Sequence, residues 1–333
     1  MSYTAKDERY ATMPYVYCGE SGLKLPQLSL GLWHNFSKND DYANMVRMLT
    51  TAFDGGITHF DLANNYGRPF AGSAEENFGK ILKDILAPYR DELLISTKAG
   101  YYMWPGPYGD WGSRKYLIAS LDASLKRMGL DYVDIFYHHR MDLHTPLEET
   151  MQTLADIVHS GKALYVGLSN YDAPTVERAA KLLKSMGVRP LIHQVRFSML
   201  DRHVQTEGIL DATHAAGMGS IVFSPLAQGV LSDKYLNGIP QNSRAAKPDT
   251  FLSPEGISAQ TLEKVAGLND IAKQRGQTLS QMAISWLLCV GGVTSVLIGA
   301  SRSEQIEENI KALENQSFNE DEKNRIMEIL LAD

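Results

Sequence analysis

Residues 56–67 read GITHFDLANNYG. Residues 57–63 read as a buried strand, and Asp61 stands at its end; five residues on, Tyr66 is followed by Gly67. A carboxylate ending a buried run needs a cation or hydrogen-bond donors to meet it. Seven further apolar runs of the same size follow the same rhythm: LSLGL (28–32), LLISTKA (93–99), VDIFYHH (133–139), ALYVGLS (163–169), LIHQV (191–195), GSIVFS (219–224) and TSVLIG (294–299). Helical periodicity lies between them. In 113–129, Leu117, Leu121, Ser124, Leu125 and Met128 share one face, with Ser113 as N-cap and Gly129 as stop. The segment 145–162 repeats the design, opening at Thr145 and closing at Gly161. Eight β-then-α units at spacings of roughly 25–40 residues indicate a parallel sheet with crossover helices, and eight is the number that closes a barrel. The expected fold is therefore an α/β (β/α)8 TIM barrel over residues 1–333 as one domain, with a short N-terminal β-hairpin and a long loop after the seventh strand. That loop contains GIPQNSRAAKPDTFLSPEG (238–256), Pro-, Ser- and Gly-rich. An open doubly wound sheet is the alternative, but no GxGxxG follows any strand.

Composition narrows the function. The chain has 333 residues, 44% hydrophobic and 21% charged, ordinary for a globular protein with a sizeable core. A net charge of −7 argues against nucleic acid or an anionic membrane as partner. No stretch approaches a membrane span and the N-terminus lacks the apolar core of a signal peptide, so a cytoplasmic protein is expected. Cys18 and Cys289 form no CxxC and suggest neither a disulfide framework nor a zinc site.

In a barrel, active groups gather at the C-terminal ends of the strands. Those ends read Asp61, Lys98, His139, Ser169-Asn170, Gln194, Phe223-Ser224 and Gly299-Ala300-Ser301. Each alone has an ordinary structural explanation, but Asp, Tyr, Lys and His on three adjacent strand ends form a proton-transfer set. A tyrosine hydroxyl with pKa ~10 is a poor acid–base at neutral pH. A neighbouring ammonium stabilises its phenolate and lowers that pKa. Lys98 can serve so if held in place, and Asp61 is the carboxylate available to hold it, while His139 can orient a carbonyl. No GxSxG nucleophile and no HExxH metal pattern occurs, and His138 and His139 should point to opposite faces of their strand, so no metal is expected. A tyrosine acid without nucleophile or metal fits carbonyl reduction with hydride from a bound cofactor.

At these residues the chain resembles the aldo-keto reductase superfamily over essentially its whole length. The segments carrying the likeness are GITHFDLANNYG, STKAG, DIFYHHRMD, YVGLSNY, HQVRFSML, FSPLAQGVLSDKY and IGASRSEQIEEN. The resemblance implies Tyr66 as proton donor, Lys98 as the partner that lowers its pKa, Asp61 supporting Lys98, and His139 orienting the carbonyl. It implies NADPH/NADP+ as cofactor, with Ser169, Asn170 and Gln194 on the nicotinamide amide and Phe223 stacked on the ring. Ser224, Leu226 and Gln228 fall at the pyrophosphate with Lys234 after them. Arg244, Gly299, Ser301, Gln305, Glu308 and Asn309 fall around the adenosine and its 2′-phosphate. Within the superfamily the chain is most similar to the branch holding bacterial glyceraldehyde-3-phosphate reductases and the potassium-channel β subunits. YCGESGLKLPQLSLGLWHNF, KAGYYMWPGPYG and GSRKYL carry that likeness. It implies a short-aldehyde substrate such as L-glyceraldehyde 3-phosphate or methylglyoxal, with Trp33, Trp104 and Arg114 joining Tyr66 and His139 around it; Trp33 also borders the cofactor. A homo-oligomer, tetramer or octamer, is implied as well. The competing expectation is a nucleotide-binding regulatory or assembly subunit. In the channel subunits, however, the histidine position holds asparagine, and the chain shows no long N-terminal extension for reaching a channel.

Overall fold

The computed structural model describes residues 3–236, 238–241, 243–246, 252 and 257–332, without the side chain of Arg244. Among the described residues ten strands are present: β1 Tyr15–Tyr17, β2 Lys24–Pro26, β3 Leu28–Gly31, β4 His59–Asp61, β5 Leu94–Ala99, β6 Val133–His138, β7 Ala163–Ser169, β8 Ile192–Arg196, β9 Gly219–Phe223 and β10 Ser295–Ile298. The helices are α1 Tyr42–Asp54, α2 Ser73–Ile81, α3 Arg114–Met128, α4 Leu147–His159, α5 Ala173–Ser185, α6 His203–Thr206, α7 Ile209–Ala215, α8 Ala259–Gln274, α9 Leu279–Cys289, α10 Ser303–Ile310 and α11 Glu320–Leu331. Strands β3 to β10 close a barrel in chain order, with β10 returning beside β3, and every neighbouring pair is parallel. All eight apolar runs are therefore barrel strands, and closure excludes the open sheet.

Most of each barrel strand is buried on both faces, which is why the runs read as continuously apolar. Alternate residues nevertheless serve different cores. Leu30, Phe60, Ile95, Phe136, Val166, Val195, Val222 and Val296 face the helices. Ile135, Tyr137, Ile192, Ile221 and Leu297 belong to a second cluster inside the barrel, joined by Cys18 and Leu25 of the N-terminal hairpin. That antiparallel hairpin (β1–β2) plugs the N-terminal end of the barrel, where Cys18 Sγ contacts the carbonyl of Leu191 at 3.4 Å. Gly167 makes room for the interior ring of Tyr137, since a Cβ there would lie 2.5 Å from that ring.

Helix α3 begins at the Ser113 cap and ends at Gly129 with φ 66°, as the sequence suggests. Helix α4 departs from expectation: it starts at Leu147 with Pro146 in the cap position, two residues later than Thr145. The cause is local, because the residue before a proline is disfavoured in helical conformation. The loop after β9 (the seventh barrel strand) runs to α8, and its residues 247–251 and 253–256 lie outside the described part. Among the described residues no helix is long and apolar enough to cross a membrane.

Candidate active site

Asp61 ends β4, Lys98 sits one residue before the end of β5, and His139 directly follows β6. Backbone bonds extend the ladder past the strand end: Leu62 N–H donates to Ser96 O and Asn64 N–H to Lys98 O, both at 2.9 Å. The chain then turns, with Tyr66 N–H on Ala63 O. Gly67 has φ 97°, and a Cβ there would lie 2.3 Å from Ser73 Oγ, so only glycine lets the loop close behind Tyr66.

The four groups meet as the sequence suggests. Lys98 Nζ donates to Asp61 Oδ2 at 2.5 Å and to Leu62 O at 2.7 Å, and neither side chain of the pair is exposed. Asp61 Oδ1 accepts from Ser96 Oγ at 2.7 Å and Gln194 Nε2 at 3.2 Å. Lys98 Nζ lies 5.0 Å from the centroid of the Tyr66 ring, and Tyr66 meets His139 edge-on at 5.9 Å. The electrostatics differ from the sequence reading in one respect. Burial, reinforced by the Asp61 carboxylate, pushes the Tyr66 phenol well above its ordinary range rather than below it. Burial also lowers the Lys98 ammonium, an effect the Asp61 charge opposes. His139 is driven well below its ordinary value by burial first and by Lys98 second, so its imidazole is neutral. Its Nδ1 is buried without a partner among the described residues, which favours a proton on Nε2. The resting set is thus a protonated phenol beside a buried ammonium–carboxylate pair and a neutral imidazole.

All six described non-glycine residues with positive φ lie in loops following the C-terminal ends of barrel strands: Asn35, Trp111, Asn170, Ser224, Ala227 and Gln228. Such conformations are costly and gather where a ligand must be approached closely. Three of them, with Gly229, form the turn after β9. Ser169 is fully buried at the end of β7, and Asn170 Nδ2 donates to the carbonyl of His139 at 3.0 Å. Phe223 pairs with Arg196 and Leu297 across the sheet, its ring partly exposed at the barrel mouth. A Cβ built on Gly299 meets nothing within 4 Å, leaving open space before α10. At the start of that helix Ser301 donates from N–H and hydroxyl to Gln305 Oε1, at 2.8 and 3.0 Å. Asn309 is buried in α10, while Glu308 accepts from Gln281 Nε2 of α9 at 2.9 Å and so is partly committed to helix packing. Leu226 is half-buried in the turn after β9 and Lys234 is exposed beyond it. Amide side chains beside a half-exposed aromatic, a left-handed turn, open space and a helix start suit a dinucleotide.

The substrate-side expectations divide. Trp33 reaches the tetrad, its ring 6.4 Å from that of Tyr66. Trp104 packs on Tyr116 of α3 at 5.2 Å. Arg114 does not join the cluster. Its guanidinium pairs with Asp156 and its N–H donates to Glu149, both on α4, on the exposed flank of the barrel. The first residue of a helix that packs by Tyr116 and Leu117 points its own side chain outward. The sequence reading passed over Tyr101, whose ring lies 4.6 Å from His139, and Arg140, stacked between Tyr101 and Trp111 at 4.3 and 3.6 Å and paired with Asp110. A hollow of about 560 Å³ at the other end of the barrel, lined by Tyr10, Tyr15, Lys24 and Thr58, shares no residue with this cluster. Among the described residues no group of three or more His, Cys, Asp or Glu could hold a metal ion.

Comparison with known proteins adds independent support. The sequence profile of the Aldo/keto reductase family matches residues 27–331. The chain is 57% identical over 321 residues to an L-glyceraldehyde 3-phosphate reductase of Escherichia coli strain K12, covering 96% of this chain and 92% of that protein. It is 56% identical over 325 residues to the protein of that name from Escherichia coli O157:H7, covering 97% and 94%. A probable voltage-gated potassium channel subunit beta of Arabidopsis thaliana is 38% identical over 309 residues, 91% of this chain and 92% of that protein. A closed parallel barrel, a tyrosine beside a buried lysine–aspartate pair, and a profile match over nearly the whole chain agree: this protein belongs to the aldo/keto reductase family.

Proposed function

We propose that the protein is an NADPH-dependent reductase of short aldehydes, with L-glyceraldehyde 3-phosphate and methylglyoxal as substrates. The observation that carries this reading is the Lys98–Asp61 pair, buried without exposed surface beneath the ring of Tyr66 and next to a neutral His139. When bound, the reduced nicotinamide supplies the hydride that the carbonyl carbon receives. The chain's own residues do the rest. His139 donates a hydrogen bond to the carbonyl oxygen and fixes its direction. Tyr66 gives its hydroxyl proton to that oxygen as negative charge develops there. A phenol held high in pKa is fully protonated beforehand, the state a donor requires. Of the three ammonium hydrogens of Lys98, two are committed to Asp61 and Leu62, and the third serves the phenolate that proton transfer leaves behind. Ser169, Asn170 and Gln194 would hold the nicotinamide amide, Phe223 its ring, and the turn from Ser224 to Gly229 with Leu226, Gln228 and Lys234 the pyrophosphate. Ser301, Gln305, Glu308 and Asn309, beside Gly299, would surround the adenosine end with Arg244.

The substrate assignment rests on the relatives' printed name and on the aromatic walls Trp33 and Tyr101. Titration with NADPH and NADH followed by an aldehyde panel tests it. Saturable NADPH binding with turnover of three-carbon aldehydes is expected. Binding without turnover of any aldehyde would favour a regulatory nucleotide-binding subunit instead.

A further inference from the structure

The barrel interior has two chemically different sectors. At inward positions of β6, β8, β9 and the upper part of β10 stand Ile135, Tyr137, Ile192, Ile221 and Leu297. At inward positions of β3, β4, β5 and the start of β10 stand Ser29, His59, Ser96 and Ser295, all fully buried. His59 and Ser96 each lie two residues before a tetrad member, so they form the layer directly beneath Asp61 and Lys98.

These side chains make one continuous chain. Ser295 Oγ and Ser29 Oγ are 2.8 Å apart. Ser29 Oγ is 2.9 Å from His59 Nδ1, and His59 Nε2 is 2.9 Å from Ser96 Oγ. Ser96 then donates to Asp61 Oδ1, whose Oδ2 holds Lys98. The direction of every bond follows from counting hydrogens. A carboxylate only accepts, so the single hydroxyl hydrogen of Ser96 goes to Asp61. Ser96 must then accept from His59, which places the imidazole proton on Nε2. Burial holds that imidazole neutral, with a pKa of about 4, so Nδ1 carries a lone pair and accepts from Ser29, which accepts from Ser295. No member can turn round without orphaning a buried group.

Apolar side chains fill the other sector without such a chain, so packing alone does not demand polar residues here. We propose that His59 is a positioning residue for the Asp61–Lys98 pair. By donating to Ser96 it commits the Ser96 hydroxyl to Asp61 Oδ1, which leaves Oδ2 aimed at Lys98 and keeps the ammonium charged beneath Tyr66. The inference rests on the tetrad being the proton-donating set proposed above. The titratable groups that bear on Asp61 are Lys98, His59, Tyr66 and Tyr137, and Glu75 and His139 interact with Lys98.

Two measurements test it. Nitrogen-15 NMR of the histidine side chains in the wild-type protein should show His59 neutral and protonated on Nε2 between pH 6 and 8; an Nδ1–H tautomer overturns the proposal whatever the activity. The second measurement is the pH profile of kcat for NADPH-dependent aldehyde reduction in Ser96→Ala, His59→Phe, the double variant and His59→Gln. Loss of one hydrogen bond to a charged group should lower kcat about 10- to 100-fold. KM for NADPH should be unchanged. The alkaline limb should move to lower pH by about one unit, because Asp61 then supports the Lys98 charge less well. The double variant should be no worse than either single one, since both act through one hydrogen. The amide of His59→Gln should restore most of the loss. Wild-type kcat and an unmoved alkaline limb in Ser96→Ala, or additive losses in the double variant, overturn the proposal. Tyr66→Phe run in parallel separates the two readings: if it retains turnover, the tetrad assignment itself has failed.

Discussion

Asp61 Oδ2 and Lys98 Nζ meet at 2.5 Å with no exposed surface on either side chain, although 37 residues separate them in the sequence. Adjacent parallel strands β4 and β5 bring them together. Removing either partner strands a charge in the barrel. Lys98→Met should cost on the order of 3–5 kcal/mol in denaturant unfolding, and lower kcat by about 10²–10⁴. Asp61→Asn should lower kcat as well, by depriving the ammonium of its counter-charge. Wild-type stability in Lys98→Met would show that the pair is not the buried ion pair described.

Three fully buried histidines set the acid stability. Burial holds His59 and His138 near pKa 4 and His193 near 3, against an ordinary value of 6.5. Between those values the unfolded chain binds more protons than the native one, so stability rises with pH there and is lost on acidification from about 6.5 toward 4. Each histidine contributes a slope of up to about 1.4 kcal/mol per pH unit. Unfolding free energies of His138→Gln should show a shallower slope than wild type across that range. An identical slope would mean that His138 is already charged in the native protein.

Arg114 is tied to Asp156 on the outer flank. Arg114→Ala should therefore leave the kcat/KM ratio for phosphorylated over unphosphorylated glyceraldehyde unchanged, and cost at most about 1 kcal/mol. Selective loss on the phosphorylated substrate in Arg114→Ala would reverse this assignment.

The fold was legible because eight short apolar runs alternate with helical patterns, and most of them have a polar residue at or near the C-terminal end, which marks the mouth. Asp61, Lys98 and His139 could be grouped from the sequence because they stand at or near strand ends, with Tyr66 one short loop after Asp61. What escaped the reading is non-local. Ser29 and Ser295 lie 266 residues apart and touch only because β10 closes onto β3. Ser96 and His59 lie inside apolar runs, and only the alternation of barrel faces groups them with Lys98 and Asp61. Arg140 was passed over because its partners Tyr101, Asp110 and Trp111 come from the loop after β5, whose course no periodicity encodes. Arg114 was misplaced because a helix start names a residue without naming the face it takes. The Tyr66 phenol was expected low on the strength of one cation, whereas burial first and the Asp61 carboxylate second push it up.

Under the proposed function, cofactor choice should turn on the start of α10 and on Arg244. NADPH should bind more tightly than NADH, since an arginine can hydrogen-bond the 2′-phosphate that NADH lacks. Arg244→Ala and Gln305→Ala, followed by fluorescence titration, should weaken NADPH more than NADH. Equal losses for both nucleotides would remove these residues from phosphate recognition.

The central claim, that Tyr66 is the proton donor, is tested most directly by Tyr66→Phe, which removes one oxygen and keeps the ring. NADPH consumption at saturating aldehyde should fall by about 10²–10⁴, while the Kd for NADPH stays at its wild-type value. Turnover close to wild type in this variant would contradict the account.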